Sequence, residues 1–295
     1  MNNIHVLSRV LFVIFILLCG CEHSQKSISE IKSITELSQV NLESLDKQTL
    51  VVFDVDEVLT APNASSGMFT THRNEYGNLI KEFKASYPEY LSDYEMYSSI
   101  IFKHQQEVII DKDALEILKN LRDRNIHTIA CSTWPSGKQG LIKSMASHRY
   151  DVLKELTIKF DWSFSDDIFY LKKNHSQATK SQKINNPIYY KGIICTDGED
   201  KGAALLLFFR HTKYRPKTII FFDDSLKKIK DVQQMCKENN INFYGYHYTH
   251  RLDTRWNEEL VRFKIKTLIE NKIWFKNDED ALKAFESSKK SGGAL

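Results

Sequence analysis

Four short, continuous apolar runs punctuate the chain, each ending in polar or acidic residues: 50–53 (LVVF), 126–131 (IHTIAC), 188–195 (IYYKGIIC) and 218–222 (TIIFF). A fifth, 241–246 (INFYGY), follows the same pattern. Runs without polar alternation suit strands covered on both faces, as in a parallel sheet. Helical periodicities lie between them. Residues 112–124 place Leu115, Leu118 and Leu121 on one face, with Asp111 or Asp113 as N-cap candidates. Residues 200–211 and 225–239 read the same way, and 255–271 is a longer charged helix with Leu260, Val261, Ile265, Leu268 and Ile269 apolar. This alternation predicts an α/β fold built on a doubly wound, parallel central sheet flanked by helices.

The stretch 61–110 breaks the alternation. It is rich in Tyr and Phe, reads as mainly helical, and is expected to form an insert over the sheet. Its Tyr76, Phe83, Tyr87, Tyr90, Tyr94 and Tyr97 read as the insert's own core rather than as a ligand pocket. The core then comprises 46–60 and 111–275, with 134–187 long enough to add a small lid, and 276–295 forms a C-terminal helix and frayed tail. Residues 21–45 read as a tether and a short amphipathic helix, because Ile28, Ile31, Ile34 and Leu37 recur every third residue.

Residues 10–20 (VLFVIFILLCG) form an apolar run preceded by His5 and Arg9. The run is short for a bilayer-spanning helix and fits the apolar region of a signal peptide covering 1–20. It ends in Leu18-Cys19-Gly20-Cys21, which resembles the bacterial lipobox. That resemblance implies cleavage before Cys21 and acyl chains on it, hence a membrane-anchored lipoprotein. A plain cleaved signal peptide, giving a periplasmic or secreted protein, is the alternative. With Cys21 lipidated, Cys131, Cys195 and Cys236 remain, an odd set that forms no complete disulfide framework. Cys131 and Cys195 lie in apolar runs and read as buried thiols. The balance of 41 Lys+Arg against 38 Asp+Glu, with basic residues scattered, excludes a nucleic-acid partner.

In open α/β sheets chemistry collects at the carboxyl ends of the strands. The first run ends in Asp54 and Asp56, two residues apart and so directed alike in an extended segment. Carboxylates held that close repel unless a cation or shared proton compensates. The second run ends at Ser132-Thr133, hydroxyls able to bond an anionic oxygen. Lys201 opens the helix after 188–195, and Asp223-Asp224 end the run at 218–222. A calcium loop starting at Asp54 would need Gly and Glu where Leu59 and Ser65 stand. Taken alone, Lys201 reads as a solvated charge, Ser132 as a strand-end hydroxyl, and Asp223 and Asp224 as caps of the next helix. His247 and His250 lack a third ligand nearby and read as surface or core histidines.

An acidic pair, a hydroxyl, a lysine and a second acidic pair, in that order, resemble the four motifs of the haloacid dehalogenase superfamily. The similarity rests on FDVDEVLT (53–60), STWPSGKQG (132–140), GEDKGAAL (198–205) and IIFFDDSLKKIKDV (219–232), and spans roughly residues 30–250. Within the superfamily the chain is similar to exported bacterial proteins of poorly defined function. The resemblance implies a Rossmann-like core with a helical cap at 61–110 and a Mg²⁺-dependent phosphatase. Asp54 would then be the nucleophile that forms an aspartyl-phosphate, and Asp56 the acid and base. Ser132, or Thr133 as the fallback, and Lys201 would cradle the phosphoryl oxygens. The Asp54 carboxylate, the Asp56 carbonyl and Asp223 would hold Mg²⁺, and Asp224 a metal-bound water or Lys201. The implied substrate is a phosphorylated small molecule or phosphoprotein. A binding or effector module that keeps the fold without turnover is the competing expectation.

Overall fold

The computed structural model describes residues 27–65, 72–164, 167–171, 186–252 and 254–290. The signal peptide and Cys21 lie outside the described residues, as do 165–166 and 172–185 of the 134–187 excursion and the tail beyond 290. In chain order the first elements are β1 (Ser29–Ile34), β2 (Thr49–Phe53), β3 (Thr60–Pro62), α1 (Arg73–Ser86), α2 (Glu89–Ser92), α3 (Tyr94–His104) and β4 (Glu107–Ile109). Next come α4 (Ala114–Asp123), β5 (His127–Ser132), α5 (Met145–Glu155), β6 (Ile168–Tyr170), β7 (Ile188–Tyr190) and β8 (Ile193–Cys195). The last are α6 (Lys201–Thr212), β9 (Thr218–Asp223), α7 (Leu226–Glu238), β10 (Asn242–Tyr248), α8 (Glu258–Asn271) and α9 (Asp278–Lys290).

The main sheet has the order β1-β10-β9-β2-β5-β8-β7-β6. It is parallel from β1 to β8 and antiparallel only at the β8-β7-β6 edge. Its central strands are apolar throughout because both faces are covered. Leu50 and Val52 of β2 join Ile129, Cys131, Ile219 and Phe221 in one core, under α6 and α7. Val51 and Phe53 join Ala130, Ile220 and Phe222 in the other, under α4 and α5. Strand order reverses at β2: the chain leaves it toward β5 and later returns to β9 on its other side. The crevice at such a reversal, at the carboxyl ends of β2 and β9, is where an open α/β sheet can hold a ligand.

Three local expectations are corrected. Residues 29–34 form the edge strand β1, paired in parallel with β10, not a helix. Of the spaced residues Ile34 and Leu37 are buried while Ile28 is 52% exposed, and the helical part of the segment is confined to a single 3-10 turn, Leu37–Gln39. The sheet edge supplies the backbone partners that a short isolated helix would lack. The run 188–195 folds back as a β7–β8 hairpin, because Lys191 and Gly192 take φ of 46° and 90°, the two-residue turn that reverses a strand. A Cβ on Gly192 would lie 2.4 Å from the Phe160 backbone. Helix α4 buries Ala114, Leu118 and Leu121, leaving Leu115 37% exposed. Its N-cap position is Asp113, but no side chain caps it. Buried Asp111 instead accepts hydrogen bonds from the Leu37 N–H and the Tyr248 hydroxyl, tying the segment after β1 to β10.

The insert leaves and rejoins the core through the antiparallel β3–β4 pair. Its helices pack Tyr76, Leu79, Tyr90, Tyr97 and Ile100 against Val261, Ile265 and Leu268 of α8. Helix α3 is fastened to the loop after β5: Gln139 donates to the Ser98 hydroxyl at 2.8 Å, and the Leu141 N–H donates to that of Ser99 at 2.9 Å. Among the described residues no helix is long and apolar enough to cross a membrane.

Candidate active site

Asp54 is the first residue beyond β2, and its N–H is bonded to the Phe222 carbonyl at 2.8 Å, which fixes it beside the end of β9. Its Oδ1 accepts from the Val55 N–H at 2.8 Å and lies 2.8 Å from Lys201 Nζ. Asp223, the last residue of β9, holds the same ammonium at 2.7 Å through Oδ2, while its Oδ1 accepts from the Ser225 N–H at 2.8 Å. Lys201 is the first residue of α6, behind an Asp200 N-cap whose carboxylate accepts from the Ala203 N–H. It is 2% exposed, so the reading of a solvated lysine does not hold. Ser225 holds the N-cap position of α7 without a side-chain cap bond, and Asp223 shapes the turn leading into the helix by accepting from the Ser225 N–H.

Two buried carboxylates and one buried ammonium form a charge-linked triad. Burial opposes the Asp54 charge, but Lys201 and Lys228 outweigh it and hold the carboxyl below the usual carboxylate range. Asp223 bears the opposite consequence: burial and the Asp54 charge push it up to about 7. Burial also works against the charge of Lys201, yet Asp223 and Asp54 raise it above the ordinary lysine value. Oxygens of Asp54, Asp223 and Asp224 lie within 4.8 Å of one another, an all-oxygen donor set suited to a hard divalent cation.

Asp224 does not hold Lys201. Its Oδ2 lies 3.2 Å from Arg251 Nη2, whose Nε is 3.5 Å from Glu57 Oε2. Burial and the Asp54 charge raise the Asp224 pKa. His247 Nε2 lies 3.1 Å from the Asp224 carbonyl oxygen, so this histidine touches the loop's backbone.

Asp56 faces a second set of groups. Its Oδ2 accepts from the Ser132 hydroxyl at 3.2 Å and its Oδ1 from Arg149 Nη2 at 2.6 Å. Arg149 is fully buried, with its guanidinium 3.7 Å from the Trp134 ring centroid. Ser132 is buried beside Asp56, whereas Thr133 is exposed, so Ser132 is the hydroxyl at this site. Cys131 and Cys195, buried just below, carry thiols pushed up to about 12 by burial.

Sequence reading missed four charged residues here: Glu57, Arg149, Lys228 and Arg251. Lys228 has a usable signal. It lies in the first turn of α7, where the helix dipole disfavours a cation, and its Nζ stands 3.6 Å from Asp54 Oδ2. Glu57 has a positive φ of 63° in the turn after β2, and its Oε1 is buried without a hydrogen-bond partner among the described residues. Burial pushes its carboxyl up to about 7, with Asp224 and Asp56 acting in the same direction and Arg251 against it. Arg149 sits mid-helix in a polar-looking segment and carries no sequence signal.

Comparison with known proteins places this site in a family context. The chain is 21% identical to an uncharacterized protein of Rickettsia prowazekii (strain Madrid E), over 81% of this chain and 84% of the relative. It is 24% identical to an uncharacterized protein of Rickettsia bellii (strain RML369-C), over 84% of each. An uncharacterized protein of Rickettsia felis (strain ATCC VR-1525 / URRWXCal2) is 23% identical over 82% of this chain and 83% of its own. No solved structure matches the chain. Residues 26–281, a span containing the whole described sheet and every residue of the site, match the family described as protein of unknown function (DUF2608), and the chain belongs to that family.

Proposed function

We propose that the protein is a Mg²⁺-dependent phosphomonoester hydrolase, exported and anchored by lipid on Cys21, that works through an aspartyl-phosphate on Asp54. The observation that carries this reading is the Asp54–Lys201–Asp223 triad at the strand-order reversal, with Asp224 completing the oxygen set. The resemblance of the four motifs to the haloacid dehalogenase superfamily supports the same reading. Asp54, Asp223 and Asp224, with the Asp56 carbonyl, would hold Mg²⁺, which would neutralise charge on the phosphoryl group.

In the first step an Asp54 oxygen forms a bond to phosphorus as the ester oxygen departs, and the leaving oxygen takes a proton from Asp56. Lys201 and Lys228 compensate charge on the equatorial oxygens, with the Ser132 hydroxyl as a donor. In the second step Asp56 takes a proton from water as the water oxygen bonds phosphorus, releasing phosphate and restoring Asp54. Arg149 sets a condition on both steps: its hold on Asp56 Oδ1 must loosen or be shared for the proton to move. That same contact favours a second reading, a binding module without turnover, since both Asp56 oxygens are engaged.

Hydrolysis of an aryl phosphate separates the two. Turnover that requires Mg²⁺ and disappears in Asp54→Asn, with the fold retained by circular dichroism, supports the hydrolase. Phosphate binding without turnover by the parent protein supports the binding module.

A further inference from the structure

Strand β1 is an outer edge of the main sheet, and among the described residues no strand pairs with its far side. The Ile28 carbonyl accepts from the Phe243 N–H at 2.8 Å and the Ile34 carbonyl from the Thr249 N–H at 2.9 Å. Backbone groups alternate in direction along a strand, so the even-numbered residues of β1 direct theirs to β10. Ser29, Ile31 and Ser33 therefore turn their N–H and C=O groups to the open edge. An edge of this kind is a template for another strand unless something blocks it.

Charged side chains are the usual block. Strand β1 carries two, Glu30 and Lys32, both exposed and paired with each other at 2.9 Å. Their placement, however, is symmetric. From Ile28 to Ile34 the sequence reads Ile-Ser-Glu-Ile-Lys-Ser-Ile, centred on Ile31. About that centre Ile28 mirrors Ile34, Ser29 mirrors Ser33, and Glu30 mirrors Lys32. A second copy of the strand, laid antiparallel about Ile31, meets its own kind at each apolar and hydroxyl position and the opposite charge at each charged one.

Two independent conditions fix this register. Outward backbone groups must face outward backbone groups, so odd-numbered residues must stand opposite odd-numbered ones. Centring on Ile31 satisfies this: Ile31 faces its own copy and Ser29 faces Ser33, for about six backbone hydrogen bonds. The Glu30–Lys32 pairs then fall at the sites between, where Cα atoms are about 4.5 Å apart and cross-strand side chains meet most closely. Moving the centre one residue either way keeps the backbone condition but breaks the second. It sets Glu30 against Glu30 or Lys32 against Lys32, and like charges directly opposite are destabilising.

We propose that β1 is a self-pairing edge through which two copies of this chain form an isologous dimer, the two-fold axis passing at Ile31 and the sheet running on from one copy into the other. The occupant is a second copy rather than an unrelated strand because the edge complements itself in charge and in backbone direction at the same register. Ile28, 52% exposed, gains cover there from the partner's Ile34. Strand β10 stands between β1 and the strands that lead to Asp54 and Asp223, so pairing leaves the crevice at β2 and β9 open.

The test is sedimentation equilibrium of the purified full chain in density-matched detergent over a dilution series, which should show a monomer–dimer equilibrium. Glu30→Lys sets two ammonium groups against each other in both charged pairs, and Lys32→Glu does the same with carboxylates. Each should weaken the dimer about tenfold to a hundredfold. Both positions are exposed, so circular dichroism of either variant should match that of the parent. An equimolar mixture of the two variants should regain dimerisation as heterodimers, because opposite charges then meet in both pairs. The double variant Glu30→Lys/Lys32→Glu should regain it alone. A parent that stays monomeric, a dimer unmoved by either single reversal, or a loss that neither mixing nor the double variant restores would overturn the proposal.

Discussion

Replacing Lys201 by Met removes the cation that, among the described residues, pairs with both Asp54 and Asp223, while keeping a side chain of similar length. In the native protein its Nζ lies 2.8 Å from Asp54 and 2.7 Å from Asp223. At an effective dielectric of about 20 each contact is worth roughly 6 kcal/mol of attraction before desolvation. Desolvation offsets much of that, and losing one partner of a buried ion pair costs about 3–5 kcal/mol in total. Lys228, at 3.6 Å from Asp54, remains as partial compensation and keeps the expected loss within that range. The pH dependence has a definite sign. Asp223 in the parent protein titrates at about 7, so its cost to stability accrues as pH rises from the unfolded carboxylate range to about 7 and then levels off. In Lys201→Met the same proton is held more tightly, so the folded state keeps losing stability above that point. The gap between parent and variant should therefore widen by up to about 1.4 kcal/mol from pH 7 to 8. Urea unfolding of both proteins at pH 6, 7 and 8 measures this. A loss below about 1 kcal/mol at pH 8, or a gap that does not change from pH 7 to 8, would refute the claim that the lysine is what permits both carboxylates to coexist.

How much of this was legible in the sequence follows from how locally each feature is encoded. Leu50, Val51, Val52 and Phe53 announce a strand because every position faces a core, and two-sided burial leaves no room for polar alternation. Asp54, Ser132, Lys201 and Asp223 were legible for a related reason: the first, second and fourth stand where a strand's apolar run ends, and Lys201 where a helical pattern begins. Ile28, Ile31 and Ile34 misled because a three-residue spacing resembles a helical face, while the residues that decided their conformation belong to β10, more than 200 positions away. Lys191 and Gly192 carried a local signal that the run at 188–195 turns in its middle, since a polar residue and a glycine interrupt its apolar positions. Arg149 and Arg251 were invisible in principle. Arginine on a helix or loop is normally solvated, and what buries Arg149 against Trp134 or brings Arg251 to Asp224 is tertiary packing.

The remaining predictions concern the anchor, the metal and the orphaned glutamate. Cys21→Ser should move the protein from the membrane to the soluble fraction on cell fractionation, and membrane retention of a processed variant would refute lipidation at that residue. Mg²⁺ should raise the melting temperature by mass action, about 2.7 kcal/mol at a hundredfold excess over Kd, and Asp223→Ala should abolish most of that rise. A parent protein whose melting is indifferent to millimolar Mg²⁺ would remove the carboxylate cluster from metal binding. Glu57 is buried with Oε1 unpartnered among the described residues, and its carboxyl is pushed up to about 7. Because the folded state binds this proton more tightly than the unfolded chain, the group costs nothing at low pH. It costs progressively more as pH rises from about 4.5 to about 7, reaching about 3 kcal/mol. Glu57→Gln lacks that titration, so relative to the parent it should gain up to about 3 kcal/mol between pH 4.5 and 7.5, whatever constant amount the lost Arg251 contact takes away. Denaturant unfolding of the two proteins across that range would show a difference that grows with pH; a difference that stays level would mean the Arg251 pair holds Glu57 ionised throughout.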